Sequence, residues 1–460
     1  MSDTIDIYLG SLEVSKEDIR QSIINKGVTP EGGLTSYAKA IDDIYVPSTG
    51  NASVEYSSNG DYTINPQEYG YDALSGINVN VKVKSSGGSG KPMIPNGFYF
   101  GSGSDIGLVD FSQYDWSAVY DTTQFFKSCK NTVGWDNFEQ HFNGKVMSGN
   151  EMFYYCTNLT SVPQMDTSKV TNMQNMFYYC QNLTSVPQMD TSKVTNMSFM
   201  FQGCKNLTSV SLTNTSNVTD MQHMFSNCPK LTSVSLTNTS NVTNMQYMFY
   251  GCENLTSVPQ MDASNVTNIQ YMFQGCKNLT SVSLTNISKV TGMHAMFQGC
   301  KNLTSVSLTN TSKVTNMSYM FQGCENLTSV SLTNTSNVTV MNDMFSSCSS
   351  LTTVPQLDTS KVTDMSFMFN VCSSLTTVPQ MDISNVTNMT CMFQQCTKLM
   401  SVSFKGQPKS TVSVSSMFYN IKTNGTLYYD SRYDYSKIIN VLPSTWTAVP
   451  YDVEEYESQL

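Results

Sequence analysis

Five aspartates share one setting. Asp166, Asp190, Asp262, Asp358 and Asp382 each close a P-Q-M-D or P-Q-L-D run. Two carboxylates about 5 Å apart are the arrangement of a retaining glycosidase. Asp166 with Asp190, or Asp358 with Asp382, could come that close if their runs lay side by side. A turn explains the same position more simply. Other copies of the segment carry Asn there, as at Asn214 and Asn286 in S-L-T-N. An amide is inert as a general acid, whereas Asp and Asn both cap a local turn. The remaining chemistry-bearing residues do not form a set. His141, His223 and His294 are the chain's histidines. The last two fall at different repeat positions, so no column and no zinc spacing is expected from them. Serine is abundant, but no G-x-S-x-G run occurs and no Ser-His-Asp set can be nominated. No phosphate-binding glycine pattern is present. The expectation is a protein that is not an enzyme, with no catalytic residue, metal or cofactor.

The elements that would hold these residues are set by a repeat. M-F-x-x-C followed by L-T-S/T-V returns every 24 residues, and the cysteines from Cys156 to Cys396 keep that spacing through eleven copies. So exact a period means one supersecondary unit per coil, stacked along an axis. L-T-S-V reads as a short strand, but Leu183 and Val186 are three apart, so a bend or bulge must intervene. V-T-N-M is a second short extended segment. Met197, Met200 and Phe201 have helical or 3₁₀ spacing. No coil can bury its Met, Phe, Cys, Leu and Val alone; stacked in register they make internal columns. The cysteines then serve as small buried hydrophobes rather than disulfides, because parallel side chains close such a bond poorly. The many N-x-S/T triplets read as repeat chemistry.

One column varies. Before the Met of M-F stand Asn175, Phe199, His223, Tyr247, Tyr271, Ala295, Tyr319, Asp343, Phe367 and Cys391. Such freedom suggests an exposed position. Phe199, Tyr247, Tyr271, Tyr319 and Phe367 are therefore the candidate ligand-binding residues, able to stack on sugar rings. Tyr154, Tyr178 and Tyr250 add aromatics just after the Phe. The alternative is that these rings lean over the rod and shield its core.

The repeat residues resemble the BspA-like surface repeats related to leucine-rich repeats, over residues 152–400. The resemblance implies a solenoid and a binding or display role on bacterial or phage surfaces. It names no ligand. The fold expected is mainly β with short helical turns: a right-handed leucine-rich-repeat-like solenoid of 24-residue coils, preceded by a small helical module and a small β-module.

The domains expected are a helical module at 1–45, a β-module at 53–84, a Gly/Ser linker at 85–91, an N-terminal cap at 92–151, the solenoid at 152–400 and a C-terminal cap at 401–460. In the first, Ser15 is a candidate N-cap and Leu34–Ile44 an amphipathic helix. L-T-S-Y-A-K-A-I-D-D-I resembles the N-terminal segment of phage tail-fibre and virion proteins. N-G-D-Y-T and G-Y-D-A-L-S-G-I-N-V-N-V are similar to a β-module of phage tail proteins. The chain therefore resembles a phage virion fibre or adhesin. Phe125-Phe126-Lys127-Ser128-Cys129 is a degenerate M-F-x-x-C inside the N-terminal cap. A helix from about Tyr435 to Val441 and a strand near Trp446 are expected in the C-terminal one.

Composition narrows the partners. Charged residues make up 13% of the chain and the net charge is −10, which argues against nucleic acid. No apolar run approaches the ~18 residues of a membrane span, and no secretion signal is visible at the start. The expectation is a tail or head fibre on the virion surface, assembled in the host cytoplasm as a homo-oligomer. Its partners would be other virion proteins, through the N-terminal module, and a host-surface glycan or protein. The alternatives are a purely structural virion or capsid decoration protein and a bacterial surface adhesin.

Overall fold

The structure is a computed structural model. It describes residues 119–129, 146–421 and 423–452, with the paired strands β1 (Asp3–Ile7) and β2 (Ala52–Tyr56). These two strands run antiparallel, Asp3 opposite Tyr56. A strand at Asp3–Ile7 departs from the expected helical module; T-I-D-I within it alternates polar and β-branched apolar residues, the strand pattern. The helices expected at 15–27 and 34–44, most of the β-module and the Gly/Ser linker lie outside the described residues.

The described residues from 119 onward form a solenoid. In the coil around Phe177, the side chains of Val170, Met173, Met176, Phe177, Cys180, Leu183 and Met189 are all buried. The coils are joined by one parallel bridge each, at the residue before the first Met. This seam runs from Asp121↔Ser148 through Asn172↔Asn196 to Asn388↔Ser413. Phe125-Phe126-Lys127-Ser128-Cys129 takes the place of M-F-x-x-C in the first described coil, where Phe125, Phe126 and Cys129 are buried. The expected bend after the Leu is visible as two successive exposed residues. Thr208 and Ser209 separate buried Leu207 from buried Val210.

Two kinds of coil alternate irregularly. Coils reading S-V-S-L form strands: β4 (Ser209–Thr213), β5 (Ser233–Leu236), β8 (Ser305–Leu308) and β9 (Ser329–Leu332). Coils reading V-P-Q-M-D form at most two-residue strands: β3 (Met189–Asp190), β6 (Met261–Asp262) and β10 (Met381–Asp382), with none at 162–166. Proline has no N–H to give the ladder. The parallel sheet is cut into β3-β4-β5, β6-β7 with β7 at Leu284–Thr285, β8-β9, and a terminal sheet that begins at β10; proline coils stand at the breaks before β6 and before β10, but not between β7 and β8.

The M-F segment is where the fold departs from the helical reading. Every second N–H bonds the next coil: Met173, Asn175, Phe177 and Tyr179 donate to the carbonyls of Asn196, Ser198, Met200 and Gln202 at 3.0, 3.0, 2.9 and 2.7 Å. The N–H groups between them close local turns, Met176 to Met173 O at 3.3 Å and Cys180 to Phe177 O at 3.1 Å. The backbone therefore visits the left-handed region twice in each M-F turn, here at Asn175 (φ 56°) and Tyr179 (φ 57°). A non-glycine residue there costs on the order of 1–2 kcal/mol. Four inter-coil hydrogen bonds at ~0.5–1.5 kcal/mol each offset it. The conformation is thus stable only within a stack.

Two buried columns run the length of the rod. Phenylalanine rings stack from Phe126 to Phe418 with centroids 5.2–5.8 Å apart and planes within 2–16° of parallel. That is the offset geometry ring quadrupoles favour. Beside it stands the cysteine ladder. All 13 cysteines are free thiols. Each ladder thiol from Cys156 to Cys396 donates to the carbonyl of a Phe on the preceding coil; Cys204 Sγ lies 3.1 Å from Phe177 O. That carbonyl already accepts the Cys180 N–H at 3.1 Å, so the thiol satisfies its second lone pair. This is a reason for cysteine that packing alone does not supply.

The stack is closed by β11 (Ser401–Lys405), β12 (Gly425–Asp430), a short helix α1 (Ser436–Ile439) and β13 (Trp446–Tyr451), the three strands continuing from β10 in parallel. Trp446 covers Phe418 at 5.5 Å. The helix is shorter than expected because the Val441 N–H turns to Ile438 O at 3.2 Å, a 3₁₀ closure ahead of Pro443.

Candidate functional site: the variable column

The aspartates are turn residues. Asp166 Oδ1 accepts the Ser168 N–H at 3.0 Å, and Asp190 Oδ1 the Ser192 N–H at 2.9 Å. Asp262, Asp358 and Asp382 take the N–H two residues on in the same way, at 3.0, 3.0 and 2.9 Å. Hydrogen bonds from Ser168 hold the Asp166 carboxyl below the usual range, and those from Ser192 do the same for Asp190. A glycosidase acid must instead keep its proton. Both line a broadly open depression of about 450 Å³ with Gln164, Gln188 and Asn214. Asp and Asn are not equivalent here. Asn214, Asn238, Asn286, Asn310 and Asn334 have φ of 60–63°, whereas none of the five aspartates has a positive φ. Asn tolerates that region well.

The variable column sits at the first left-handed residue of each M-F turn, with φ between 50° and 60° from Asn175 to Cys391. Its side chains are half-buried, not exposed as the sequence suggested, and Ala295 is fully buried. Phe199, His223, Tyr247 and Tyr271 form one continuous stack, with successive centroids at 4.8, 4.4 and 4.4 Å and planes within 16° of parallel. The stack does not stop at Ala295. His294, one residue earlier, swings into the gap and meets Tyr271 at 4.9 Å and Tyr319 at 5.4 Å, edge-on to both. Its Nδ1 lies 2.5 Å from Ser318 Oγ. Both histidines therefore join the column, contrary to the sequence reading. Burial pushes each imidazole below its ordinary value.

This geometry changes what the rings can do. A sugar stacks on a ring face, and inside the stack each face is covered by the next ring. His223, Tyr247 and Tyr271 offer edges and polar tips. Phe367 is different: no ring contacts it among the described residues. Tyr154 and Tyr178, the aromatics just after the Phe, belong to a second cluster with Tyr155 and Tyr179. Tyr154 stacks on Tyr178 at 4.8 Å and Tyr155 on Tyr179 at 5.1 Å, the two pairs inclined to one another. Tyr155 is 40% exposed, and Lys127 Nζ lies 4.9 Å from the Tyr154 ring centroid. The doubled Tyr-Tyr before Cys156 and Cys180 was its signal.

Among the described residues no group of His, Cys, Asp and Glu could hold a metal ion, and no helix is long and apolar enough to cross a membrane.

The repeat places the chain in a family. The family described as "Mycoplasma protein of unknown function, DUF285" matches residues 100–185, 147–258, 231–330, 253–356 and 325–430. The chain belongs to this family. No curated protein matches it. Among solved structures, this DUF285 protein is similar to a leucine-rich repeat protein from Eubacterium ventriosum, at 16% identity over 72% of this chain and 89% of that one, TM-score 0.36. It is also similar to the pneumococcal vaccine antigen PcpA, at 12% identity over 67% and 85%, TM-score 0.35. The functional domain of InlJ from Listeria monocytogenes, described as including a cysteine ladder, shares 13% identity over 65% and 76%, TM-score 0.21.

Proposed function

We propose that this DUF285 protein is a non-catalytic recognition scaffold, a solenoid displayed to bind a surface through the strip of edges along its variable column. The observation that carries this reading is the contrast within each coil. The interior Phe and Cys recur without exception and the other core positions vary narrowly, while Asn175 through Cys391 range over amide, aromatic, imidazole, carboxylate and thiol at one mostly half-buried position. A row of tyrosine hydroxyls, imidazoles and neighbouring amides suits many weak polar contacts made in parallel. The finer reading is a phage tail or head fibre that carries this strip toward a host-surface glycan or protein. It rests on the likeness of residues 1–84 to phage tail modules. In it the N-terminal module holds other virion proteins and the fibre is a homo-oligomer. The alternatives are a virion part without a receptor and a bacterial surface adhesin.

The test is binding of the full chain to a panel of bacterial surface glycans and whole cells, beside a Tyr247→Ala/Tyr271→Ala variant. Capture that the double variant weakens supports recognition through the column. Capture by neither protein favours a structural part, and release of oligosaccharide would contradict the non-catalytic reading. Antibody labelling of phage particles rather than cell surfaces separates fibre from adhesin.

A further inference from the structure

One position of the variable column holds a charge. Asp343 stands between Tyr319 and Phe367, and its backbone is in register with theirs: φ is 55° against 58° and 56°. Its N–H donates to Ser366 O at 2.9 Å, as Tyr319 does to Asn342 O at 3.0 Å and Phe367 to Thr390 O at 2.9 Å. An aromatic residue here would continue the column; a carboxylate is shorter than a ring and, with Asp343 half-buried, stays open to solvent on one side. The two rings are two coils apart, about 9–10 Å at the usual strand spacing, which leaves about 6 Å of width after ring thickness.

The carboxylate is positioned but not neutralised. Gln322 Nε2 donates to Oδ1 at 3.2 Å and Asn342 Nδ2 to Oδ2 at 3.4 Å. Both donors are uncharged. Among the described residues no lysine or arginine pairs with Asp343 or with Asp364, the acid whose charge acts on it. Half-burial pushes the Asp343 carboxyl up, as expected of a desolvated carboxylate with no cation beside it. In the turn that carries Phe367, Asn370 Oδ1 is buried without a hydrogen-bond partner. A neutral sugar would leave the charge unmet, and a hydrated inorganic ion would gain nothing from the rings.

We propose that the Asp343 site binds an organic ammonium ion, its charge against the carboxylate and its carbon-bound hydrogens against the rings of Tyr319 and Phe367. Cation–π attraction operates within about 6 Å of a ring and strengthens as the site is desolvated.

The test uses the full chain and two probes, choline and N-acetyl-lysine amide, followed by nuclear magnetic resonance titration of the aromatic signals. Binding of choline identifies a quaternary headgroup as the source, and binding of the lysine amide a side chain of a partner protein. Either supports the proposal. Asp343→Asn should weaken binding about tenfold or more, Phe367→Leu about three- to tenfold, and Asp364→Asn less than about threefold. Asparagine suits the left-handed backbone at 343, so an unchanged melting curve would separate lost binding from lost fold. The proposal is overturned if neither probe binds, if choline's neutral isostere dimethylbutanol binds equally well, or if folded Asp343→Asn binds as the parent does. Such a failure would leave surface recognition through the rest of the column untouched.

Discussion

The same M-F turn builds two aromatic columns two residues apart, and they obey different rules. At the inner position a phenylalanine recurs without exception from Phe153 to Phe393. At the outer position the residue may be Asn, Phe, His, Tyr, Ala, Asp or Cys. Inside, each ring must match the volume and stacking of its neighbours on every side. Outside, each side chain answers to the coil above, the coil below and the solvent. The left-handed backbone is common to both kinds of coil, so the outer residue changes without altering the turn. The second column combines a fixed frame with a free side chain.

Breaking the inner column should cost most. Phe273→Ala removes a ring stacked at 5.6 and 5.5 Å on its two neighbours and should destabilise by about 3–5 kcal/mol in denaturant titration. Tyr271→Ala, two residues away, should cost less than half of that; equal losses would erase the distinction. The cap is next. A Cβ at Gly425 would lie 2.3 Å from Trp446 Cε2. Gly425→Ala should therefore cost about 1–3 kcal/mol through overpacking and raise amide exchange first in residues 425–451. A smaller effect separates the two coil types. Asn286, at φ 60°, should lose up to about 1 kcal/mol on change to Ala and little on change to Gly. Asp262→Asn, where φ is not positive, should be close to neutral.

The smallest effect is one of pH. The folded-state values of His223 and His294 lie below their ordinary 6.5 because of burial. The native state then binds fewer protons than the unfolded one. The stabilisation is complete above about pH 6.5 and is lost as pH falls from there toward the folded values. His223→Phe should flatten the stability profile in that window. A profile that stays as steep would mean the imidazole is solvated and outside the stack.

Much of this could be read from the chain because identical residues must stack upon themselves. The 24-residue period, the Phe and Cys columns, the bend after Leu and the turn role of Asp166 and its equivalents all follow from that. What escaped was direction. Spacing of Met197, Met200 and Phe201 fits a 3₁₀ turn as well as it fits the observed turns, since bonds to the next coil leave no trace in one coil's sequence. Ring orientation is equally silent, so the covering of Tyr247 by His223 and Tyr271 was not foreseen. Nor was the filling of the Ala295 gap by His294, which stands at a different repeat position.

Thiol labelling resolved by mass spectrometry is the most direct examination of the stacked interior. The ladder thiols are buried, and burial pushes Cys156, Cys228 and Cys396 up to about 12; Cys391, in the outer column, is only half-buried. Under native conditions a small alkylating reagent should modify Cys391 and spare the ladder, and all 13 cysteines should react after unfolding. Ladder cysteines labelled as fast as Cys391 in the folded protein would contradict the account.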